Sequence, residues 1–255
     1  MNFLPTLTKE LKELARSYKL LFVPLAFLLL GLGQPIMYKM LPLIMQSASN
    51  LPEGSVLQIP IPPPAQIVAG TFGQLNQLGI LILVLVAMGS IAGERNSGVA
   101  ATVLTKPVGR GEYLTAKAVS FSLLAVASLM LGLGLTAYYT QVLFGPVDWG
   151  ATAAATLLYL PNLLVVVAVT LFCSTLMASP LAAGGTALTV VIFLNVVPKY
   201  LGKFIASIYP GALMESAVAA ALGKSYAVAG PVAGVLAISL LFLTAGWIVL
   251  KRREI

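Results

Sequence analysis

The sequence predicts an all-α membrane protein with six transmembrane helices, and three observations predict it. First, 59% of the 255 residues are hydrophobic and only 9% are charged, with a mean hydropathy of +0.97; soluble domains draw about a quarter of their residues from the charged set. Second, the apolar residues fall into six runs, at approximately 20–46, 66–92, 113–140, 152–178, 180–198 and 226–250, each near or above the ~20 residues needed to cross a bilayer. Third, the basic residues behind the net charge of +7 cluster at the edges of those runs, as membrane-flanking charges do. The spans use most of the chain, so a single transmembrane domain over 1–255 is expected, with no large domain outside the bilayer.

The same composition excludes several functions. The basic residues form no stripe of the kind that tracks a nucleic-acid backbone, so nucleic acid is not an expected partner. Histidine is absent and the one cysteine, Cys173, lies within an apolar run. Disulfides within the chain, imidazole catalysis, imidazole pH sensing and Cys/His zinc sites are therefore excluded, and Cys173 is expected to be a small buried apolar residue. An intramembrane enzyme would also need histidines or paired carboxylates within the spans, and the sequence supplies neither. No catalytic residue and no metal ligand is expected.

Residues 1–19 precede the first run. Leu4, Leu7, Leu11, Leu14 and Tyr18 recur at three- and four-residue spacing, and Lys9, Glu10, Lys12, Glu13 and Arg16 occupy the remaining arc. This pattern predicts an amphipathic helix on the membrane surface, polar arc to water. The first apolar run begins near Leu20 and is too long for the core of a cleaved signal, so it is expected to be retained as a span.

Basic residues orient the spans. With the N-terminus inside, eleven of them face the cytoplasm: Lys9, Lys12, Arg16 and Lys19, then Arg95, Lys106, Arg110 and Lys117, then Lys251, Arg252 and Arg253. Four (Lys39, Lys199, Lys203 and Lys224) face outward. The positive-inside rule therefore places both termini in the cytoplasm.

The connections differ in kind. Residues 47–65 carry Pro52, Pro60, Pro62, Pro63 and Pro64, which favour stiff extended backbone. Ser179 and Pro180 leave room only for a tight hairpin between the fourth and fifth spans. From 199 to 225 the chain is moderately apolar; Ala212 to Leu222 is too short to cross and too apolar to be freely solvated, which predicts a re-entrant or interfacial helix before the last span. Between the second and third spans, residues 93–112 place Val99, Val103 and Leu104 on a short segment that Ser97 can cap and Pro107 limits. A rigid cytoplasmic helix with an apolar knob and flanking charges suits docking to another protein.

Gly93-Glu94-Arg95, Gly98, Leu104-Thr105-Lys106-Pro107-Val108, Arg110, Glu112-Tyr113-Leu114 and Lys117 together resemble the cytoplasmic signature of ABC-2-type transporter permeases, and six spans, the N-terminal surface helix and the apolar segment before the last span resemble the same family over essentially the whole chain. The resemblance implies a permease subunit, an exporter more than an importer, whose coupling helix sits in a cleft of a separate ABC ATPase. Glu94, Arg95, Val99, Val103, Leu104, Lys106 and Pro107 become the ATPase-coupling candidates, with Arg110, Glu112 and Tyr113 at the start of the third span. It also implies two ATPase copies, a second permease chain, identical or related, and the plasma membrane of a prokaryote. Two departures matter: many members carry a charged or polar residue at Gly98-Val99-Ala100, and a basic residue or serine at Gly109 and Gly111, so the docking segment here is less polar.

ATP and Mg belong to the partner ATPase, and no cofactor is expected on this chain. Gly223-Lys224-Ser225 has the end of a phosphate-binding loop, but Val218 stands where that motif needs glycine and no strand precedes it. An outer polar cavity is a further candidate, formed by Gln34, Lys39, Gln74, Asn76, Gln77, Asn162 and Asn195, with Gln74 and Gln77 sharing a helical face with Gly70; interhelical hydrogen bonds and snorkelling of Lys39 explain the same residues. Gly89 with Gly93, and Gly230 with Gly234, have the spacing of close helix contacts and offer a dimerisation face. A second function also fits the sequence: a mechanochemical membrane scaffold that passes ATPase work to an extracytoplasmic partner for maturation or envelope remodelling.

Overall fold

A computed structural model describes residues 3–48, 62–98 and 109–252. Its described residues contain no strand, and six of its helical stretches are long and apolar enough to cross a membrane. Helix α1 covers Phe3–Arg16 and leads through Tyr18, which has a positive φ of 57°, into α2 (Lys19–Ala48), the first span. The second span is composite: α3 (Pro64–Gln74), a π-helical turn (Leu75–Gly79), α4 (Ile80–Ala87) and α5 (Gly89–Asn96). The third is α6 (Arg110–Phe144), the fourth α7 (Trp149–Leu176) and the fifth α8 (Pro180–Val196), which runs into a 3-10 turn at Val197–Tyr200. Two short helices, α9 (Lys203–Ala206) and α10 (Pro210–Ala221), precede the sixth span, α11 (Ala229–Arg252).

The boundaries follow local chemistry. Asp148 begins α7 by accepting from Ala151 N at 2.9 Å, and Ser179 begins α8 by accepting from Ala182 N at 3.2 Å, with Pro180 in the first helical position. Both caps satisfy amides that the helix leaves free. Gly145, at φ 105°, ends α6 in a conformation that other residues resist. Ser97, expected to cap a following helix, has its hydroxyl on the Glu94 carbonyl, and Gly98 at φ 75° completes the stop of α5.

Successive spans alternate in direction, with α7 at the centre, packed against α6, α8, α10, α11 and the α4 and α5 parts of the second span. Its buried face runs from Thr152 to Thr175, and Phe72 on α3 meets Tyr159 edge-on at 5.6 Å. Spans one and three make the most extensive helix pair. A Cβ on Gly132 would sit 2.8 Å from the Phe27 carbonyl oxygen, and Thr136 Oγ1 lies 2.9 Å from the carbonyls of both Gly31 and Gly132. Small residues thus let two backbones touch, and a buried hydroxyl bridges them.

The two glycine pairs expected on a dimer face are used inside the chain instead. Cβ atoms on Gly89 and Gly93 would meet Pro180 of α8 at 3.7 and 3.8 Å, whereas Cβ atoms on Gly230 and Gly234 would press on the carbonyl oxygens of Ser207 and Ile208 at 3.0 and 1.9 Å. Helix α10 has twelve residues and so is about 18 Å long. It buries Leu213, Ser216, Ala217 and Ala220 against α7 and α3.

The Gly132 contact gives a direct test. Gly132→Val should lower stability by roughly 1–3 kcal/mol through overpacking and reduce the midpoint of thermal unfolding in detergent. Gly134→Val, where a Cβ meets nothing within 4 Å, should leave the midpoint nearly unchanged.

Candidate functional site

The end of the bundle that carries α1 gathers the described part of the expected coupling region. Val99, Val103, Leu104, Lys106 and Pro107 lie outside the described residues; Glu94, Arg95, Arg110, Glu112 and Tyr113 lie within them, on the two helices that bracket the segment.

Glu94 and Tyr113 belong to a buried ionic cluster that joins α1, α5 and α6. Lys117, 1% exposed, is the hub: its Nζ donates to Glu10 Oε2 at 2.9 Å and to Glu94 Oε1 at 2.6 Å, and lies 5.0 Å from the centre of the Tyr113 ring. The Tyr113 hydroxyl donates to Glu94 Oε2 at 2.5 Å, so both oxygens of that carboxylate are engaged. Lys9 closes the cluster from α1, reaching Glu10 and Glu13 at 2.9 Å and Glu94 at 3.4 Å. Partial burial alone would lower the Lys9 pKa, but hydrogen bonds to Glu13 and Glu10 and the charges of Glu94 and Glu10 outweigh it, leaving the group above the ordinary lysine value.

This geometry corrects the expected orientation of α1. Glu10 lies on the arc that the sequence pattern gives to water, yet Thr6, Glu10 and Leu14 form the stripe that faces the protein. Leu4 and Leu11 are exposed, roughly 110° around the helix from the centre of that stripe. Lys117 causes the difference: an ammonium buried at the base of α6 needs anions, and one helical face of α1 supplies Glu10. The carboxylates of Glu10, Glu13 and Glu94 lie within 4.8 Å of one another, close enough to share a cation. Lys9 and Lys117 already occupy that role.

The two arginines act on helix ends. Arg95 donates to the carbonyls of Thr175, at 3.4 Å, and Met177, at the end of α7. Arg110 donates to Leu250 O and, at 2.9 Å, to Lys251 O in the last turn of α11. Last-turn carbonyls lack intrahelical partners and carry the negative end of the helix dipole, which suits a guanidinium. Glu112 accepts from Gly109 N at 3.4 Å at the start of α6.

The candidate outer-cavity residues do not converge on one point. Asn76 Oδ1 accepts from Asn162 Nδ2 at 3.2 Å and from the Tyr159 hydroxyl at 3.4 Å, tying the π turn to α7. Gln34 lies against Gly70 and Gln74 against Gly33, filling the contact between α2 and α3. Gly79 then lies against Phe27. The residues of the second span that meet the first are therefore 70, 74 and 79, and the final step of five is that of the π turn. That step removes Gln77 from the shared face, and both Gln77 and Lys39 are exposed. Asn195 Nδ2 donates within its own helix to Val191 O at 2.9 Å.

Lys117 and Glu10 escaped the sequence-based site because each fitted a simpler role, as a flanking charge or a solvated one. The available signal was position: Lys117 lies inside the apolar run that starts near 113, where an ionisable group must have a partner. Ser174, whose hydroxyl donates to Met88 O and accepts from the amides of Ile91 and Ala92, has no signal in the sequence, since a lone serine in an apolar helix carries no pattern.

The sequence matches the family described as ABC-2 family transporter protein over residues 4–254. The chain belongs to the ABC-2 transporter family. ABC-2 permeases are membrane subunits without an ATPase site of their own, and the family typically works with an ABC ATPase. A relative from Bacillus subtilis (strain 168), the uncharacterized transmembrane protein YxlG, is 34% identical over 153 residues, which cover 60% of this chain and 59% of the relative. The chain thus spans about three-fifths of that relative's length.

Lys117→Met, which leaves two buried carboxylates short of a cation, should cost this ABC-2 protein about 3 kcal/mol and loosen α1, measured as faster proteolysis near Lys12. A double-mutant cycle with Glu94→Gln should be clearly non-additive, because the second change removes one of the stranded charges.

Proposed function

We propose that this chain is the permease subunit of an ATP-driven exporter, in which residues 93–112 dock into a separate ATPase and convert its cycle into movement of the spans. The observation that carries this reading is the anchoring on both sides of the segment. Arg95 and Arg110 hold its flanks to the ends of two other spans, and Glu94 and Tyr113 hold it to α1 through Lys117. A loop that only connected two helices would not need such fixed ends. Family membership supports the ATPase as the docking partner.

Two ATPase copies and two permease chains, identical or related, form the working assembly. ATP and Mg bind the ATPase pair; its closure displaces the docked segments, and rigid spans with two arrangements carry the change across the membrane. The end bearing α1 is cytoplasmic in the plasma membrane of a prokaryote, an orientation supported by its basic residues. The exposed Leu4 and Leu11 then rest in the lipid interface. Helix α10 is the re-entrant element on the outer side: it is too short to span and has a buried face.

Val103→Asp or Leu104→Asp should abolish co-purification of an ABC ATPase with the tagged chain while leaving its thermal unfolding unchanged; full assembly and undiminished ATPase stimulation in these variants would overturn the docking assignment. Orientation has its own measurement. In intact cells a membrane-impermeant maleimide should label Lys224→Cys, and should label Ser97→Cys only after permeabilisation.

A further inference from the structure

The second span is not one continuous rod. Besides the π turn at Leu75–Gly79, its helix breaks at Met88, between α4 and α5. Ser174 of α7 fills that break: its hydroxyl donates to Met88 O at 2.7 Å and accepts from the amides of Ile91 at 3.2 Å and Ala92 at 3.0 Å. In an unbroken helix the Ala92 amide would be the partner of that carbonyl, so a side chain from another span has replaced part of the ladder. Seven residues beyond the break, Arg95 donates to the carbonyls of Thr175 and Met177. Both ends of α5 are therefore bound to the last turn of α7, whereas its covalent link to α4 passes through the broken turn.

Helix α7 is in turn fixed to α11. Phe172 and Phe242 stack edge-on at 5.3 Å, and a Cβ on Gly246 would lie 3.7 Å from Phe172 Cα. Arg110, on the other flank of the docking segment, holds the last turn of α11. At the far end of the bundle both spans meet the same region: α10 packs on α7, and Gly230 and Gly234 of α11 abut Ser207 and Ile208 just before α10.

We propose that α5 is mechanically part of the fourth span, with Met88 as the hinge and Arg95 and Ser174 as positioning residues. Displacement of the segment 97–109 is thereby delivered through α7 and α11 to α10 instead of up the second span. The inference rests on the coupling function given above for the source of the displacement, but the union of α5 with α7 is a property of the chain alone.

Hydrogen exchange of the full chain in lipid nanodiscs tests that union. Arg95→Gln and Ser174→Ala should each accelerate exchange about tenfold or more in peptides covering 89–96 and 172–177, and leave 80–87 unchanged. Arg95→Lys, which keeps one donor for a last-turn carbonyl, should restore most of the protection; a variant that merely damaged folding would not be rescued in this way. Equal acceleration in 80–87 and 89–96, or none in either, would overturn the proposal, since the second span would then behave as one rod. The second measurement uses the complex with the ABC ATPase that co-purifies with the wild-type chain. Addition of ATP and Mg should change exchange in 203–221, and Arg95→Gln should remove that change with the ATPase still bound; an undiminished change would overturn the path through α7. If the wild-type chain retains no ATPase, the coupling function fails, and exchange at 89–96 still decides whether α5 belongs to the fourth span.

Discussion

The Lys117 ammonium sets the arrangement of the α1 end of the molecule. A cation this deeply buried, at the base of a span, cannot remain without anions, because the cost of removing it from water exceeds what any single contact returns. Two carboxylates from different helices answer it, Glu10 of α1 and Glu94 of α5. Since α1 has Glu10 on only one face, satisfying Lys117 also fixes the rotation of α1. Rotation decides which residues are left outward, and the leucines at 4 and 11 are among them. One charge thereby determines which face α1 turns to the bundle and which it leaves exposed.

A related logic governs the second span. In a bilayer every backbone donor and acceptor must find a partner within the protein, so a broken helix survives only where a neighbour supplies the missing groups. Ser174 does this at Met88 with one hydroxyl that donates once and accepts twice. Asn162 and Tyr159 hold the Asn76 side chain at the π turn. All three belong to α7. The discontinuous span is thus matched to the most buried one, and Asn76 and Asn162, two of the candidate cavity residues, tie these two spans together.

The sequence carried the coarse architecture well because burial in lipid leaves a strong signal: six long apolar runs, charges at their edges, and an amphipathic helix ahead of the first. It misled where one residue had two physically acceptable roles. Glu10 sits on the correct arc for a solvated charge, and only the three-dimensional neighbour Lys117 changes its assignment. The glycine pairs at 89/93 and 230/234 give the same four-residue signal for contact within a chain or between chains, and spacing alone cannot choose between Pro180 and a second copy. Counting regular turns puts Gln77 on the face of Gln74, and the π turn adds the residue that separates them. Ser174 carried no signal, since its importance comes from a break in another helix.

Arg95 and Arg110 were legible as coupling candidates but not for what they hold. A guanidinium next to a docking segment suggests a contact with the docked partner, whereas here each is engaged by carbonyls at the end of a distant span. Those carbonyls belong to the backbone and therefore have no sequence signature. Because a helix end offers them whatever its side chains are, the attachment depends less on the sequence of α7 and α11 than on each helix stopping within reach of its arginine. The lengths of the fourth and sixth spans are on this account a mechanical requirement as well as a fit to the bilayer: a turn more or less would move the last carbonyls about 5 Å along the axis and out of reach of the two arginines.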